Sequence, residues 1–505
     1  MTGLKGPVMR NNKTKKGKDL IVDRASLLKV SLLVFFSAVL SATIMWGDKA
    51  YPETIISAFL LTGLLLVILY KDLMRYKPAI EKNYALLLLI GILLTGNFMI
   101  GRGFYYILEG FTTWLGNIDP QVTAYAIPLA TGSMLAALLI DIHTAIVFSV
   151  ITSLLAGIWL GNPFYSIFSF AAGLTAAFSV IRCKRRSAIW RAGLFVGLVC
   201  MLASIIIFYQ EQFLTLNTVA ALGFAFANGL IVATLVSALL PLLEYSFKIS
   251  TDISLLELVD LNQPLMRNLL LEAPGTYHHS IVVGTLVEAA AEAVDVNPLL
   301  ARVSAYYHDI GKMKMPEYFV ENQTMPVSRH EKLAPRMSSL ILMSHVKEGV
   351  ELAKQHKLPQ SIIDIIQQHH GTSVITYFYQ KAKEQQGDTA LPPAENDFRY
   401  PGPKPQTRVA ALVLMADAVE AASRTLTDPI PARISALVER IVNRFFLDGQ
   451  LDDCELTLKD LREIRSHFVY LLNSMFHRRI DYPGFEIKDD DSDKEPAKIQ
   501  TSKQI

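Results

Sequence analysis

Eight of the eleven histidines in the chain lie between His278 and His370. Adding Asp309 and Asp417 gives a set of imidazole and carboxylate groups whose donor chemistry suits first-row transition metals such as Fe, Mn or Zn. Isolated histidines are usually core or surface residues, and His143, His356, His467 and His477 are read that way. The tandem pairs His308-Asp309 and His369-His370 are different. Neighbours on a helix point about 100° apart, so one adjacent pair can serve two different metals.

The elements that must carry these residues are marked by helix start and stop signals. Asn297 can cap a helix whose first position is Pro298, and Gly311 stops it just after His308 and Asp309. Pro359 starts another helix, which Gly371 stops just after His369 and His370. A third helix starts near Thr276 and carries His278 and His279, a fourth includes His345, and a fifth, about Thr407–Ser423, carries Asp417. The apolar spacing from Thr276 onward is helical, without strand-like alternation, so this part is expected to be all-α. The segment Lys381–Gln406 holds Pro392, Pro393, Pro401, Pro403 and Pro405 and reads as a long loop, the kind often used as a lid or binding loop.

The chain has 505 residues, 51% of them hydrophobic and 19% charged. From Leu27 to Phe247 it is a succession of apolar runs, and eight of them are candidate membrane spans. These are Leu27–Trp46, Ile55–Tyr70, Tyr84–Ile100, Val122–Ile140, Ile142–Leu160, Phe164–Ile181, Ala192–Tyr209 and Val219–Leu243. Basic residues crowd the N-terminal tail and alternate loops, including Lys71, Arg75, Lys77 and Lys82, then Arg182, Lys184, Arg185, Arg186 and Arg191. Eight spans with a cytoplasmic N-terminus put every basic loop and the C-terminal domain on the cytoplasmic side of the inner membrane. The expected layout is a basic tail at 1–26, a polytopic helical bundle at 27–247, linker helices at 248–274, an all-helical domain at 275–484 and a charged tail at 485–505. Disorder is expected for Met1–Lys18 and the final tail. A net charge of +2 gives no reason to expect a DNA or RNA duplex as partner. Cys183, Cys200 and Cys454 form no metal-ligand or disulfide pattern.

His308-Asp-Ile-Gly-Lys312 resembles the HD-domain signature, and the order His279, His308-Asp309, His345, His369-His370, Asp417 resembles its binuclear variant. More specifically, Gly275-Thr-Tyr-His-His-Ser280, Tyr307-His-Asp-Ile-Gly-Lys312, His369-His-Gly-Thr372 and Phe398-Arg-Tyr-Pro-Gly-Pro-Lys-Pro-Gln-Thr407 resemble the seven-transmembrane-receptor HD hydrolases, the PgpH-type cyclic-di-AMP phosphodiesterases. The resemblance covers about Tyr84 to Pro483. It implies that the seven matching side chains hold two divalent ions, Fe or Mn, with Asp309 bridging them and an activated water attacking phosphorus in line. It further implies a phosphate-facing Lys312, with Arg399 and Tyr400 as candidates for phosphate contact and adenine stacking. The expected activity is cleavage of cyclic-di-AMP to pApA, with a homodimer as one expected assembly. The chain departs from the family in one respect. The bulky extracellular domain after the first span is reduced here to Gly47–Glu53, which removes the expected external sensor and leaves the hydrolase motifs intact.

Other readings fit less well. Cyclic-di-GMP hydrolases of the HD-GYP type continue the histidine pair with an acidic residue and a Gly-Tyr-Pro element, whereas Gly-Thr-Ser-Val follows His370 here. A single-metal nucleotidase would leave His345, His369 and His370 without a purpose. A nucleotide-binding receptor without turnover would be expected to have lost ligands. A transporter would be expected to carry intramembrane charges, and Asp141 is the only acid between Val122 and Ile181.

Overall fold

The computed structural model describes residues 13–46, 51–76, 84–115, 118–181, 183, 185–208, 215–323, 328–386 and 393–476. Among them the chain is helical, with one isolated antiparallel bridge between Val374 and Arg399. The charged tail at 485–505 and the first twelve residues lie outside this set. Within the basic tail the first helix begins at Lys13, earlier than the expectation of disorder to Lys18, because no proline interrupts the approach to the apolar run.

The membrane part consists of α1 (Lys13–Met45), α2 (Pro52–Tyr76), α3 (Tyr84–Leu115), α4 (Ala130–Leu139), α5 (Ile142–Trp159), α6 (Pro163–Ser179), α7 (Ser187–Phe208) and α8 (Leu216–Phe247). Among the described residues, seven segments are long and apolar enough to cross a membrane. The eighth, α6, has 17 residues, about 26 Å at 1.5 Å per residue, short of a hydrocarbon core of ~30 Å.

The expected continuous span Val122–Ile140 is broken in two. A 3-10 turn over Pro120–Ala126 precedes α4, and the chain leaves it through an extended Ile127. Pro128 has no N–H to donate and pushes Ile127 out of the helical region, where its φ and ψ are −67° and 118°. Backbone groups freed inside a bilayer need partners within the protein. Buried Asn228 donates to the carbonyls of Tyr125 and Ile127, at 3.0 and 2.8 Å. Asn97 donates to Leu129 O at 2.8 Å and accepts from the Gly132 amide at 3.2 Å.

Helices α7 and α8 pack backbone to backbone. Gly193 and Gly197 form a small-xxx-small pair on α7, facing Gly229 of α8. A Cβ on Gly229 would lie 2.1 Å from the Gly193 carbonyl oxygen, so any side chain there would force the helices apart.

The linker folds as α9 (Asp252–Val259) and α10 (Pro264–Glu272). Thr251 caps α9 by accepting from the Ser254 amide. Ile253 joins the core of the membrane part, whereas Leu255 joins a core shared with Leu265, Met266 and Tyr307. Arg186, in the α6–α7 loop, grips Glu257 through two bonds of 2.6 and 3.1 Å. One short helix is therefore tied to both halves of the chain.

The C-terminal part comprises α11 (Pro274–Ala293), α12 (Pro298–Tyr307), α13 (Pro335–Gln355), α14 (Gln360–Gln368), α15 (Thr376–Gln386), α16 (Arg408–Ser423), α17 (Pro431–Leu447) and α18 (Leu458–Met475). Every residue from Val409 to Asp417 is buried, so α16 is apolar all round and forms the axis of the domain. Helices α11, α17 and α18 pack around it. The segment expected to be loop from Lys381 is still helical to Gln386, because α15 buries Phe378 and Ala382 against Phe398.

Candidate metal centre

Two helix ends and three helix interiors converge on one point. Thr407 caps α16 by accepting from the Ala410 amide, which fixes the phase that turns Asp417 inward. Asn297 caps α12 as its sequence position suggests, accepting from the Leu300 amide, and α12 ends at Tyr307, so His308 and Asp309 lie in the turn that follows. Helix α14 ends at Gln368, with His369 and His370 in its terminal turn. Gly371 has φ +53°, the left-handed conformation that lets the chain turn away there. Gly311 acts differently from its expected role as a stop. Its φ is not positive; the chain continues into a 3-10 helix over Ile310–Lys314. Close approach requires the glycine: a Cβ would lie 1.9 Å from His345 O on α13.

Three of the imidazoles are held the same way. His308, His345 and His369 each donate Nδ1–H to the carbonyl three residues earlier, Ala305, Leu342 and Ile366. That fixes the tautomer and leaves each Nε2 with its lone pair facing the centre. His279, on α11, donates Nδ1–H to Glu420, and its Nε2 lies 3.0 Å from Asp417 Oδ1.

Asp309 sits in the middle, fully buried. Its Oδ1 lies 3.3 Å from His345 Nε2 and 3.6 Å from His369 Nε2. Its Oδ2 lies 3.2 Å from His308 Nε2 and 3.8 Å from His279 Nε2. The ligand atoms form two groups that could each hold a metal ion: Asp309, His345, His369 and His370, and His279, His308, Asp309 and Asp417. Asp309 belongs to both. All seven residues singled out in the sequence are brought together, whereas His278 and His330 are not in either group.

The donor set fits divalent cations. His308 Nε2 and Asp309 Oδ1 are buried without a hydrogen bond, a costly arrangement unless something binds there. Burial holds the His345 imidazole down to about 3, and burial together with the neighbouring His369 holds His370 well below its ordinary value, so both rings are neutral at physiological pH. Burial also opposes charge on His279, but its bonds to Asp417 and Glu420 outweigh that and push it up to about 10. Burial works against the Asp309 and Asp417 carboxylates too. Both stay well below the usual range, Asp309 because of His308 and Lys312, Asp417 because of His279 and His370.

Lys312 Nζ lies 2.7 Å from Asp309 Oδ2 and 2.8 Å from Glu321 Oε1, and these carboxylates keep it protonated despite burial. Glu321 also accepts from Thr276 Oγ1 at 3.0 Å. The Tyr400 ring stacks on His370 with centroids 4.2 Å apart. Arg399 is committed elsewhere: it pairs with Glu395 and Asp448 and donates to Thr372 O.

Sequence reasoning missed Glu420 and Glu321. The signal for Glu420 was its place three residues after Asp417, on the same helical face. Glu321 lies among short 3-10 turns, where no periodicity marks it.

A multi-pass helical membrane part followed by a helical domain with a two-group His/Asp centre defines a membrane-bound member of the HD class. Residues 52–251 match the family described as 7TM receptor with intracellular HD hydrolase, and residues 276–422 match the HD domain; the chain belongs to this family of membrane HD hydrolases. It is 38% identical over 412 residues to the cyclic-di-AMP phosphodiesterase PgpH of Listeria monocytogenes, covering 81% of this chain and 56% of that protein. It is 40% identical over 368 residues to PgpH of Bacillus subtilis, covering 71% of this chain and 51% of that one. The chain thus spans about half the length of these curated relatives. The crystal structure of the L. monocytogenes PgpH HD domain in complex with cyclic-di-AMP is 45% identical, covers 43% of this chain and all of that one, and superposes with a TM-score of 0.41.

Proposed function

We propose that this protein is a membrane-anchored phosphodiesterase that hydrolyses cyclic-di-AMP to the linear dinucleotide pApA, with its catalytic domain in the cytoplasm. The observation that carries the reading is the placement of Asp309, whose two oxygens face two separate groups of ligand atoms. In this reading His345, His369, His370 and Asp309 hold one divalent ion, and His279, His308, Asp417 and Asp309 hold the other, with Fe or Mn as the metal. When bound, such a pair supplies an activated water and charge neutralisation at phosphorus.

The chain's own residues do the rest. The carbonyls of Ala305, Leu342 and Ile366 lock three imidazoles in the ligand tautomer, so little reorganisation remains at the moment of reaction. Lys312 offsets the negative charge of Asp309 and holds its proton next to the place where a phosphate would enter. Tyr400, flat against His370, offers a ring to an adenine base. The basic loops of the membrane part, read by the positive-inside rule, support the cytoplasmic orientation.

The test is to supply the metal-loaded, full-length chain in detergent with cyclic-di-AMP and cyclic-di-GMP in parallel and identify the products by mass. Release of pApA in preference to a guanosine product supports the assignment. Preferential cleavage of cyclic-di-GMP would refute the substrate and keep the chemistry.

A further inference from the structure

A cavity of about 1060 Å³ opens in the membrane part, at the end of the bundle remote from the HD domain. Its place follows from helix direction. Helix α8 runs toward the HD domain, so the ends of α5 and α1 and the second half of α3 lie at the far side. The floor is aromatic. Trp159 packs edge-on against Phe98 and Tyr105, while Trp46 and Tyr106 stand exposed at the mouth. Interfacial tryptophan and tyrosine of this kind sit at the headgroup level of a bilayer.

Two charged side chains line the cavity, Arg102 and, seven residues further along α3, Glu109, and Arg102 stands over that floor. The Arg102 guanidinium lies 5.4 Å from the centre of the Trp159 ring. Among the described residues, no carboxylate is within ion-pair distance of it. Stacking on a ring leaves the planar fork of donors available, and that fork matches a carboxylate, sulfonate or phosphate.

We propose that this cavity is a binding site for an organic anion with an apolar or aromatic body, its acidic group on Arg102 and its body over Trp159. An anionic lipid and a water-soluble amphiphilic acid share that chemistry. The site is separate from the His/Asp centre and does not depend on what that centre hydrolyses.

The test uses the full-length chain in phosphatidylcholine nanodiscs, read by tryptophan fluorescence. One arm compares quenching by bromo-acyl phosphatidylglycerol with bromo-acyl phosphatidylcholine. The other titrates naphthalene-2-sulfonate from water. Two variants are measured beside the wild type: Arg102→Gln, which removes the charge, and Gly103→Phe, which fills the space. A Cβ on Gly103 meets nothing within 4 Å, so a side chain can start there without a clash. Preferential quenching by the glycerol lipid, or saturable binding of the sulfonate, weakened about tenfold by Arg102→Gln as expected for a charge-assisted pair, supports the site and tells lipid from soluble ligand. Equal quenching by both lipids with no saturable sulfonate binding overturns it. So does binding that Arg102→Gln leaves unchanged. Should Gly103→Phe misfold, the Arg102→Gln result decides alone.

Discussion

Glu420 lies one helical turn beyond Asp417 on α16 and takes the Nδ1 proton of His279, so that the other nitrogen of that ring faces the centre. A carboxylate behind a ligating imidazole orients the ring and raises its basicity. Replacing Glu420 with Gln or Ala is expected to weaken metal binding by roughly 10- to 100-fold, with Gln the milder change. Calorimetric Mn titration of the two variants checks this; unchanged affinity in both would show that Glu420 serves packing alone.

His279 also sets a pH dependence. Its bonds to Asp417 and Glu420 raise it to about 10, so without metal it carries a proton at neutral pH. That proton has to leave before Nε2 can bind, and affinity therefore rises with pH. Titrations in buffers of different ionisation enthalpy should find about one proton released per chain at pH 7. Finding no proton release would contradict the assignment of His279 as a ligand.

Lys312 is the one cation between Asp309 and Glu321. Lys312→Ala leaves the buried Asp309 and the partly exposed Glu321 carboxylates uncompensated and removes positive charge from the face proposed to meet a phosphate. We expect kcat to fall by about 10²-fold or more, with a smaller change in KM. Steady-state kinetics separates the two, and an effect confined to KM would mean that Lys312 only binds the ground state.

Gly311→Ala tests the packing that brings His345 to Asp309. The added Cβ would press on His345 O, and its cost is expected to be about 1–3 kcal/mol, together with loss of activity. Thermal denaturation and turnover measured on the same sample distinguish this from the milder fate expected at an exposed glycine.

The membrane attachment predicts a contrast. Tyr307, next to His308, donates its hydroxyl to Leu258 O on the linker helix at 3.0 Å. Tyr307→Phe should cost about 0.5–1.5 kcal/mol, and the exposed Arg186–Glu257 pair about 0–1 kcal/mol when Arg186 is replaced by Ala. A turnover change larger than the stability change in Tyr307→Phe would show that α9 communicates with the centre.

The tandem pairs were legible in the sequence because the helices that deliver them carry strong punctuation, Asn297 and Pro298 before His308-Asp309 and Gly371 after His369-His370, whereas His279, His345 and Asp417 were singled out by the resemblance to the binuclear HD pattern. The all-helical character followed from apolar spacing for the same reason. What spacing could not convey was contact across the fold. Gly311 reads as a stop and is in fact a point of close approach to His345. Arg399 reads as a candidate phosphate contact, and spacing gave no sign of its pairing with Glu395 and Asp448. In the membrane part, a uniform apolar run hid the break at Pro128, because the two asparagines that satisfy it, Asn97 and Asn228, come from distant helices.

The account rests most directly on Asp309. Turnover of cyclic-di-AMP by the Mn-loaded, full-length chain should be measured beside Asp309→Ala, with metal content determined for both. The prediction is pApA from the wild type carrying two ions per chain, and no detectable product from the variant. Turnover that survives Asp309→Ala, or a folded and fully metal-loaded wild type that cleaves no cyclic dinucleotide, would contradict it.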